Sequence, residues 1–299
     1  MSDHLFALRV FVRVARKGSF SAAGRDLNIP QSSVSRAIAD LEREIGTTLL
    51  VRTTRALTLT EAGEDFLGRV ERILADLDEA EHAARGTGEL RGVVRVGLGS
   101  SLGLREVIPR LPDFMAQHPA LHMDLVMQDH RQDLVTEGVD VAFRFGSLPD
   151  SSMLARKLSS WPRVLVASPA YLTQADVLET PEDLARHAIV MGPVAMTWDW
   201  SFSKDGKLCA ANVSGRLTVR SSEGAVAAAT AGLGITTITI GACRRELDSG
   251  ALVRVLPDWD AGTLELNAVF PSGKSAKPAA RALVEYLAEE LRSIANTDR

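Results

Sequence analysis

Residues 18–63 read GSFSAAGRDLNIPQSSVSRAIADLEREIGTTLLVRTTRALTLTEAG. Their apolar spacing runs from helical to alternating and back, and that sequence of periods decides the fold. Ser19 to Leu27 makes a short helix in which the small Ala22 and Ala23 permit a close helix crossing, and Asn28-Ile29-Pro30 turns the chain. From Gln31 to Ile45 the apolar positions Val34, Ala37, Ile38, Leu41 and Ile45 recur at three- and four-residue spacing, which predicts a further helix. Gln31, Ser32, Ser33, Ser35 and Arg36 fall off its core face near the N-terminus. After Gly46, Leu49 to Leu59 reads as two short strands joined by a basic turn. Upstream, Leu5, Phe6, Leu8, Val10, Phe11 and Val14 supply one apolar face, so residues 3–17 form the first helix, which Gly18 and Ser19 end.

This is the layout of a winged helix-turn-helix, whose second helix enters the major groove N-terminus first. Short polar side chains there reach base edges, and neighbouring arginines neutralise phosphates. Gln31, Ser32, Ser33 and Arg36 are the candidate DNA readers, with Ser21 and Ser35 beside them. In the wing, Arg52 and Arg55 flank the backbone or minor groove, and Thr53 and Thr54 bond phosphate oxygens. Charge agrees. Residues 1–60 carry nine basic side chains against five acidic, a net +4, and the remaining 239 residues carry −8. A basic head on an acidic body implies that only the head meets a polyanion.

At 299 residues the chain exceeds one ordinary core, and its 45% apolar and 24% charged content is that of a globular protein. No apolar run approaches the roughly 18 residues that span a bilayer, and the first residues lack a signal-peptide layout, so a cytoplasmic location is expected. Cys209 and Cys243 have no metal-ligand spacing and build no disulfide framework; both read as free thiols, so neither a metal nor a cofactor is expected.

Thr60 caps a long helix in which Phe66, Val70, Ile73, Leu77, Ala80 and Ala84 repeat at alternating four- and three-residue steps. Such a seam suits pairing with a second copy, so Phe66, Val70, Ile73 and Leu77 are the expected dimerisation residues. A dimer places two readers on one DNA face and implies a near-symmetric operator.

Gly86-Thr87-Gly88 ends that helix. Strands then alternate with helices: strands at Val93 to Leu98, Leu121 to Met127 and Val139 to Phe145, helices at Leu104 to Gln117 and Asp133 to Gly138. A second set runs from Val164 to Val255, and the chain returns with strand Leu264 to Phe270 and helix Ala279 to Ile294. The expected architecture is α/β overall. It comprises a winged helix-turn-helix over residues 1–60, a coiled-coil linker helix over 61–89 and a two-lobed α/β domain over 90–299. Lobe 1 covers about 90–162 and 264–299 and lobe 2 about 163–263, with largely parallel sheets and a small-ligand cleft between the lobes.

Ser100, Ser101, Gln128, Arg144, Phe145 and Gly146 sit at strand ends and are the pocket candidates of lobe 1. Ser100 and Ser101 either hold a ligand carboxylate with hydroxyls and backbone N–H groups or merely cap a helix. Arg144 pairs with an anionic ligand or with an acidic neighbour. Trp198 and Trp200 wall the pocket or pack in the core. Ser221, Ser222 and Thr236 complete the candidates. The glycines of Gly97 to Gly103 have the wrong spacing for a dinucleotide loop, and no GKS/T, HExxH or GxSxG motif occurs, so no catalytic machinery is visible.

The residues from Phe11 to Gly63 resemble the N-terminal domain of LysR-type transcriptional regulators, notably Gly18-Ser19-Phe20, Ala22-Ala23, Gln31-Ser32-Ser33-Val34-Ser35, Leu41-Glu42 and Leu59-Thr60-Glu61-Ala62-Gly63. Leu134-Val135, Glu137-Gly138, Asp140-Val141-Ala142, Ala167-Ser168-Pro169-Ala170-Tyr171-Leu172, Ala231-Gly232-Leu233-Gly234-Ile235 and Leu256-Pro257-Asp258-Trp259 are similar to that family's effector domain, of periplasmic-binding-protein type. Leu50, Gly24, Pro30 and Thr239 depart from its usual pattern. The resemblance implies a regulator that binds a double-stranded DNA operator under control of a small-molecule effector, expected here to be an organic anion, in a homodimer or homotetramer. A thiol-based redox regulator of the same family and a solute-binding protein are the alternatives.

Overall fold

The computed structural model describes residues 2–52, 57–84, 89–129, 134, 137–146, 153–194 and 199–297. By their contacts they form two units, Met1–Gly92 and Val93–Arg299. In the first, α1 (Ser2–Lys17), α2 (Phe20–Leu27) and α3 (Gln31–Ile45) enclose one core. Val10, Phe11, Val14, Ala23, Val34, Ile38 and Leu41 are each at most 2% exposed, as the helical spacing requires. Ser19 caps α2 by accepting from the Ala22 N–H, and Asn28 ends it in the left-handed region at φ 56°. Gly24 does not interrupt α2. A Cβ there would lie 2.8 Å from the Ile29 carbonyl oxygen, so the glycine lets the turn fold back onto the helix. Pro30 precedes α3 without any side-chain cap.

The wing pairs β1 (Leu50–Arg52) antiparallel with β2 (Leu57–Leu59), Leu50 opposite Leu59 and Arg52 opposite Leu57. Thr53, Thr54 and Arg55 lie outside the described residues. Two side chains tie the wing to the helices. Glu42 Oε1 accepts from the N–H groups of Leu49 at 2.8 Å and Leu50 at 3.1 Å. Thr60 Oγ1 donates to the Thr48 carbonyl at 2.8 Å and accepts from the Gly63 N–H at 2.9 Å, capping α4 (Glu61–Ala84). On α4 the seam expected between chains is partly used within the chain. Val70, 1% exposed, belongs to the three-helix core, and the Phe66 ring packs 5.4 Å from that of Phe11. Val70 therefore cannot serve a dimer surface, whereas Ile73 is 54% exposed and Leu77 half-buried. The 24-residue helix presents one face to its own domain before its other faces can meet a partner. Gly86-Thr87-Gly88 lies outside the described residues.

β3 (Gly92–Leu98) begins at the last residue of the first unit and leads the second. The helix expected over Leu104 to Gln117 starts earlier and is broken into α5 (Ser100–Leu102), a π turn at Gly103–Val107, a 3-10 turn at Ile108–Arg110 and α6 (Leu111–Gln117). Pro109 and Pro112 each lack a backbone donor and stand in the first turn of the 3-10 segment and of α6, positions where no donor is needed. β4 (Leu121–Met127) and β5 (Val141–Phe145) follow, and the helix expected over Asp133 to Gly138 lies largely outside the described residues. Next come β6 (Leu154–Ala167), α7 (Pro169–Leu172), β7 (Val190–Met191), β8 (Asp199–Lys204), β9 (Lys207–Asn212), β10 (Leu217–Thr218), α8 (Ser222–Thr230), β11 (Thr236–Thr239), α9 (Ile240–Asp248), β12 (Val253–Val255), β13 (Thr263–Phe270) and α10 (Pro278–Thr297).

The main sheet runs β11-β6-β13-β5-β3-β4, with β12 also on β6. It is mixed rather than largely parallel. β3 and β5 pair in parallel, but β13 is antiparallel to both β5 and β6, and β11 and β12 are antiparallel to β6. The reason is β6, a 14-residue strand that crosses between lobes. Its first part pairs with β13 as far as Pro162, and its last part pairs with β11 and β12 from Arg163 to Ala167. Among the elements that went unanticipated, two stand out. β8 and β9 form a hairpin whose two-residue turn, Asp205 at φ 50° and Gly206 at φ 76°, is a type I′ signal present in the sequence. The other is α9, which begins directly after Thr239.

Candidate functional site

On α3 the side chains of Gln31, Ser32, Ser33 and Arg36 are exposed, while Ser35 is half-buried. Ser21 Oγ donates to Gln31 Oε1 at 2.8 Å, so these two candidate readers also brace the start of α3 against α2. Most cations of the domain are tied up. Arg9 pairs with Asp78, Arg13 and Lys17 with Asp26, Arg16 with Glu71 and Arg43 with Asp40. Arg36 has no ion pair or hydrogen bond among the described residues, which leaves its guanidinium available beside the exposed serines. A free cation among short polar side chains at the start of an exposed helix suits a phosphate or a guanine edge.

In the second unit a cavity of about 390 Å³ opens between the lobes. Lobe 1 contributes Leu98 at the end of β3 and Gly99 after it, Ser101 and Glu106, Gln128 and Asp129 after β4, and Phe143 to Gly146 of β5 and its end. Lobe 2 contributes Pro193, Val194, Ser222, Thr239 and Ala242. Trp161 on the crossing strand β6 completes the wall, its ring 5.2 Å from Phe145 in an edge-on arrangement and its Nε1 donating to Ser159 Oγ at 2.7 Å. A Cβ on Gly241 would come within 2.2 Å of the Trp161 ring, so a glycine is needed where α9 meets the indole.

Of the residues singled out in the sequence, Ser101, Gln128, Arg144, Phe145, Gly146 and Ser222 meet at this cavity. Ser221 instead caps α8, accepting from the Gly224 N–H. Thr236 is fully buried and donates its hydroxyl to the Val190 carbonyl at 3.0 Å, which makes it a core residue. Trp198 lies outside the described residues, and Trp200 packs in the core of lobe 2. Ser100 corrects the expectation of a carboxylate-binding helix start, because its N–H already donates to Asp129 Oδ1 at 2.9 Å. Glu106, Asp129, Trp161 and Thr239 are wall residues that sequence reasoning missed, since no motif marks them.

The cavity carries acceptors in Glu106, Gln128 and Asp129 beside the donors of Arg144, Ser101, Ser222 and Thr239. Glu106 is 5% exposed, and burial raises its pKa against the pull of Arg110, whose Nη1 donates to Oε2 at 2.9 Å. Gln128 Oε1 is buried without a hydrogen-bond partner among the described residues. Ser101 Oγ lies close enough to Glu223 to help keep that carboxylate charged, yet has no partner of hydrogen-bond geometry among the described residues. Among those residues no group of three or more His, Cys, Asp or Glu can hold a metal ion, and no helix is long and apolar enough to cross a membrane.

Two family models match the chain. Residues 5–64 match the bacterial regulatory helix-turn-helix protein, lysR family, and residues 87–292 match the LysR substrate binding domain. The uncharacterized HTH-type transcriptional regulator YhjC of Escherichia coli K12 is 35% identical, the match covering 96% of this chain and 97% of that one. Among solved structures, CrgA, a LysR-type transcriptional regulator from Neisseria meningitidis, is similar with a TM-score of 0.60 and 31% identity over 95% of this chain and 98% of that chain. The full-length structure of the Vibrio cholerae virulence activator AphB is similar with a TM-score of 0.59 and 30% identity over 95% and 98%.

Proposed function

The chain belongs to the LysR-type transcriptional regulators, DNA-binding proteins with an effector-binding domain, and we propose that it reads its operator through α3 and takes its signal in the cavity beside Trp161. The observation that carries this reading is Arg36, unpaired among the described residues and flanked by exposed Gln31, Ser32 and Ser33 in one unit, with a cavity of mixed apolar and polar lining built into the other. Arg36 and Gln31 meet base edges or phosphates, Ser32 and Ser33 bond the backbone, and Arg52, Thr53, Thr54 and Arg55 of the wing flank it. Two copies pair through α4, with Ile73 and Leu77 in the contact, and work in the cytoplasm, where operator DNA lies.

The effector is a small compound that offers N–H or O–H donors. Glu106, Asp129 and Gln128 Oε1, which has no partner among the described residues, are acceptors, and the Ser100 amide that would suit a ligand carboxylate already holds Asp129. This reading moves away from a plain organic anion. Phe145, Trp161 and Val194 supply apolar wall to a ligand of that kind. A thiol switch is less well supported. The hydrogen bond to Glu182, 3.0 Å away, pushes the Cys209 thiol up to about 11, and burial pushes Cys243 up to about 12, so both stay protonated and weakly nucleophilic.

The test is binding of the full chain to DNA from upstream of its own gene, at fixed salt, with and without compounds that raise its melting temperature. Amines, amino acids, hydroxylated aromatics and carboxylates form the panel. The reading requires that a stabilising compound with donor groups also shifts DNA affinity. Stabilisation by a compound that leaves DNA binding unchanged contradicts it.

A further inference from the structure

Arg105 lies in the π turn of lobe 1, and its side chain is 9% exposed. It reaches two carboxylates of lobe 2 at once. Nε and Nη2 donate to Glu223 at 2.6 and 2.8 Å, and Nη1 and Nη2 donate to Glu246 at 2.8 and 3.0 Å. Glu223 stands in the first turn of α8 and Glu246 in α9. The guanidinium thus fixes both helices to one point on the opposite lobe. Only a planar fork with several donors can make this double bidentate contact; a lysine ammonium cannot.

Residues next to each member or about a helical turn away line the cavity: Leu102 and Glu106 around Arg105, Ser222 beside Glu223, and Gly241 and Ala242 a turn ahead of Glu246 on α9. The separation of the two cavity walls is therefore set where this cluster holds them. Its electrostatics are those of an engaged pair. The Glu223 hydrogen bonds strengthen the hold of Arg105 on its proton, and the same bonds hold Glu223 below the usual carboxylate range, with Arg245 adding to the attraction. A partly buried ion cluster, with Arg105 9%, Glu223 32% and Glu246 21% exposed, adds little net stability compared with apolar packing, but losing one member leaves poorly compensated charge. Such a cluster specifies an arrangement more than it stabilises a fold.

We propose that Arg105, Glu223 and Glu246 form a cross-lobe latch that holds the two walls of the cavity in the arrangement seen here and so positions them for the effector. The positioning role rests on the function proposed above, but the latch itself can be tested without ligand or DNA. Hydrogen–deuterium exchange of the full-length protein is followed by mass spectrometry for the wild type, Arg105→Met, Arg105→Lys and Glu223→Gln. Arg105→Met speeds exchange at least tenfold in residues 100–107, 222–230 and 240–248, while β3, β5 and α10 keep wild-type protection. Arg105→Lys, which retains the charge and loses the fork, falls between. Wild-type exchange in those three segments, or equal acceleration throughout the unit, overturns the latch. Should Arg105→Met fail to fold, Glu223→Gln is followed in the same segments: faster exchange confined to them supports the latch, and wild-type or uniformly faster exchange overturns it. Operator affinity of the same variants tests the coupling separately: a loosened latch with unchanged DNA binding counts against the proposed function and not against the latch.

Discussion

The backbone N–H of Ser100 donates to Asp129 Oδ1 at 2.9 Å, so the loop after β3 holds an anion supplied by the chain itself. A ligand carboxylate would have to displace a tethered one. Asp129→Ala frees the amide, and millimolar acetate or formate then raises the melting temperature of the variant but not of the wild type, with chloride at equal ionic strength as control. An equal response of both proteins would show that Asp129 does not fill this position.

Arg36 is exposed and unpaired among the described residues, so its removal leaves stability intact and acts on DNA alone. Arg36→Ala weakens operator binding by about 1–3 kcal/mol where the side chain reads a base, and lowers the salt slope by about 1 where it meets a phosphate. Fluorescence anisotropy at several salt concentrations separates the two. Unchanged affinity and slope would remove Arg36 from the interface.

Gly63 packs onto the wing so closely that a Cβ would stand 2.1 Å from the Leu49 carbonyl oxygen. Gly63→Ala therefore forces backbone apart and destabilises the DNA-binding unit by about 1–3 kcal/mol, read by urea unfolding. Stability within a few tenths of wild type would mean that α4 can shift freely.

Ile73, 54% exposed on α4, is the side chain on which the proposed pairing of copies depends most directly. Ile73→Asp removes apolar area worth about 1.5–3 kcal/mol per copy and raises the dimer dissociation constant at least tenfold by sedimentation. Val70→Ala instead opens a hole in the chain's own core and costs about 1 kcal/mol or more in folding.

Glu106 has a folded-state pKa raised by burial, so its contribution to stability is present below the ordinary carboxylate pKa and lost as pH rises through the raised value. Glu106→Gln lacks that loss. The variant gains stability relative to wild type as pH rises above the ordinary carboxylate pKa of about 4, measured by denaturant unfolding at each pH. A difference independent of pH would place the Glu106 titration elsewhere.

The DNA-binding unit was the most legible part of the chain because its helices are amphipathic on one side and its turns are marked by Gly18, Asn28 and Gly46. Periodicity located α4 as well, but could not say which face is taken by the chain's own core, so Val70 read as a seam residue. In the second unit the candidates at strand ends converged on the cavity because ends of neighbouring strands share one edge of a sheet. Thr236 did not, since one residue of register turns a strand side chain from pocket to core. Glu106 and Arg105 were illegible because a charge on a helix reads as solvated until the opposite lobe is known to cover it.

The central claim is that what fills the cavity governs binding to DNA. Ser222→Phe places a side chain into the cavity, and the most direct measurement is the operator affinity of this full-length variant against wild type at one salt concentration. The account predicts a change of about fivefold or more with the melting temperature preserved, the range expected of coupled sites. An unchanged dissociation constant in a folded variant would contradict it.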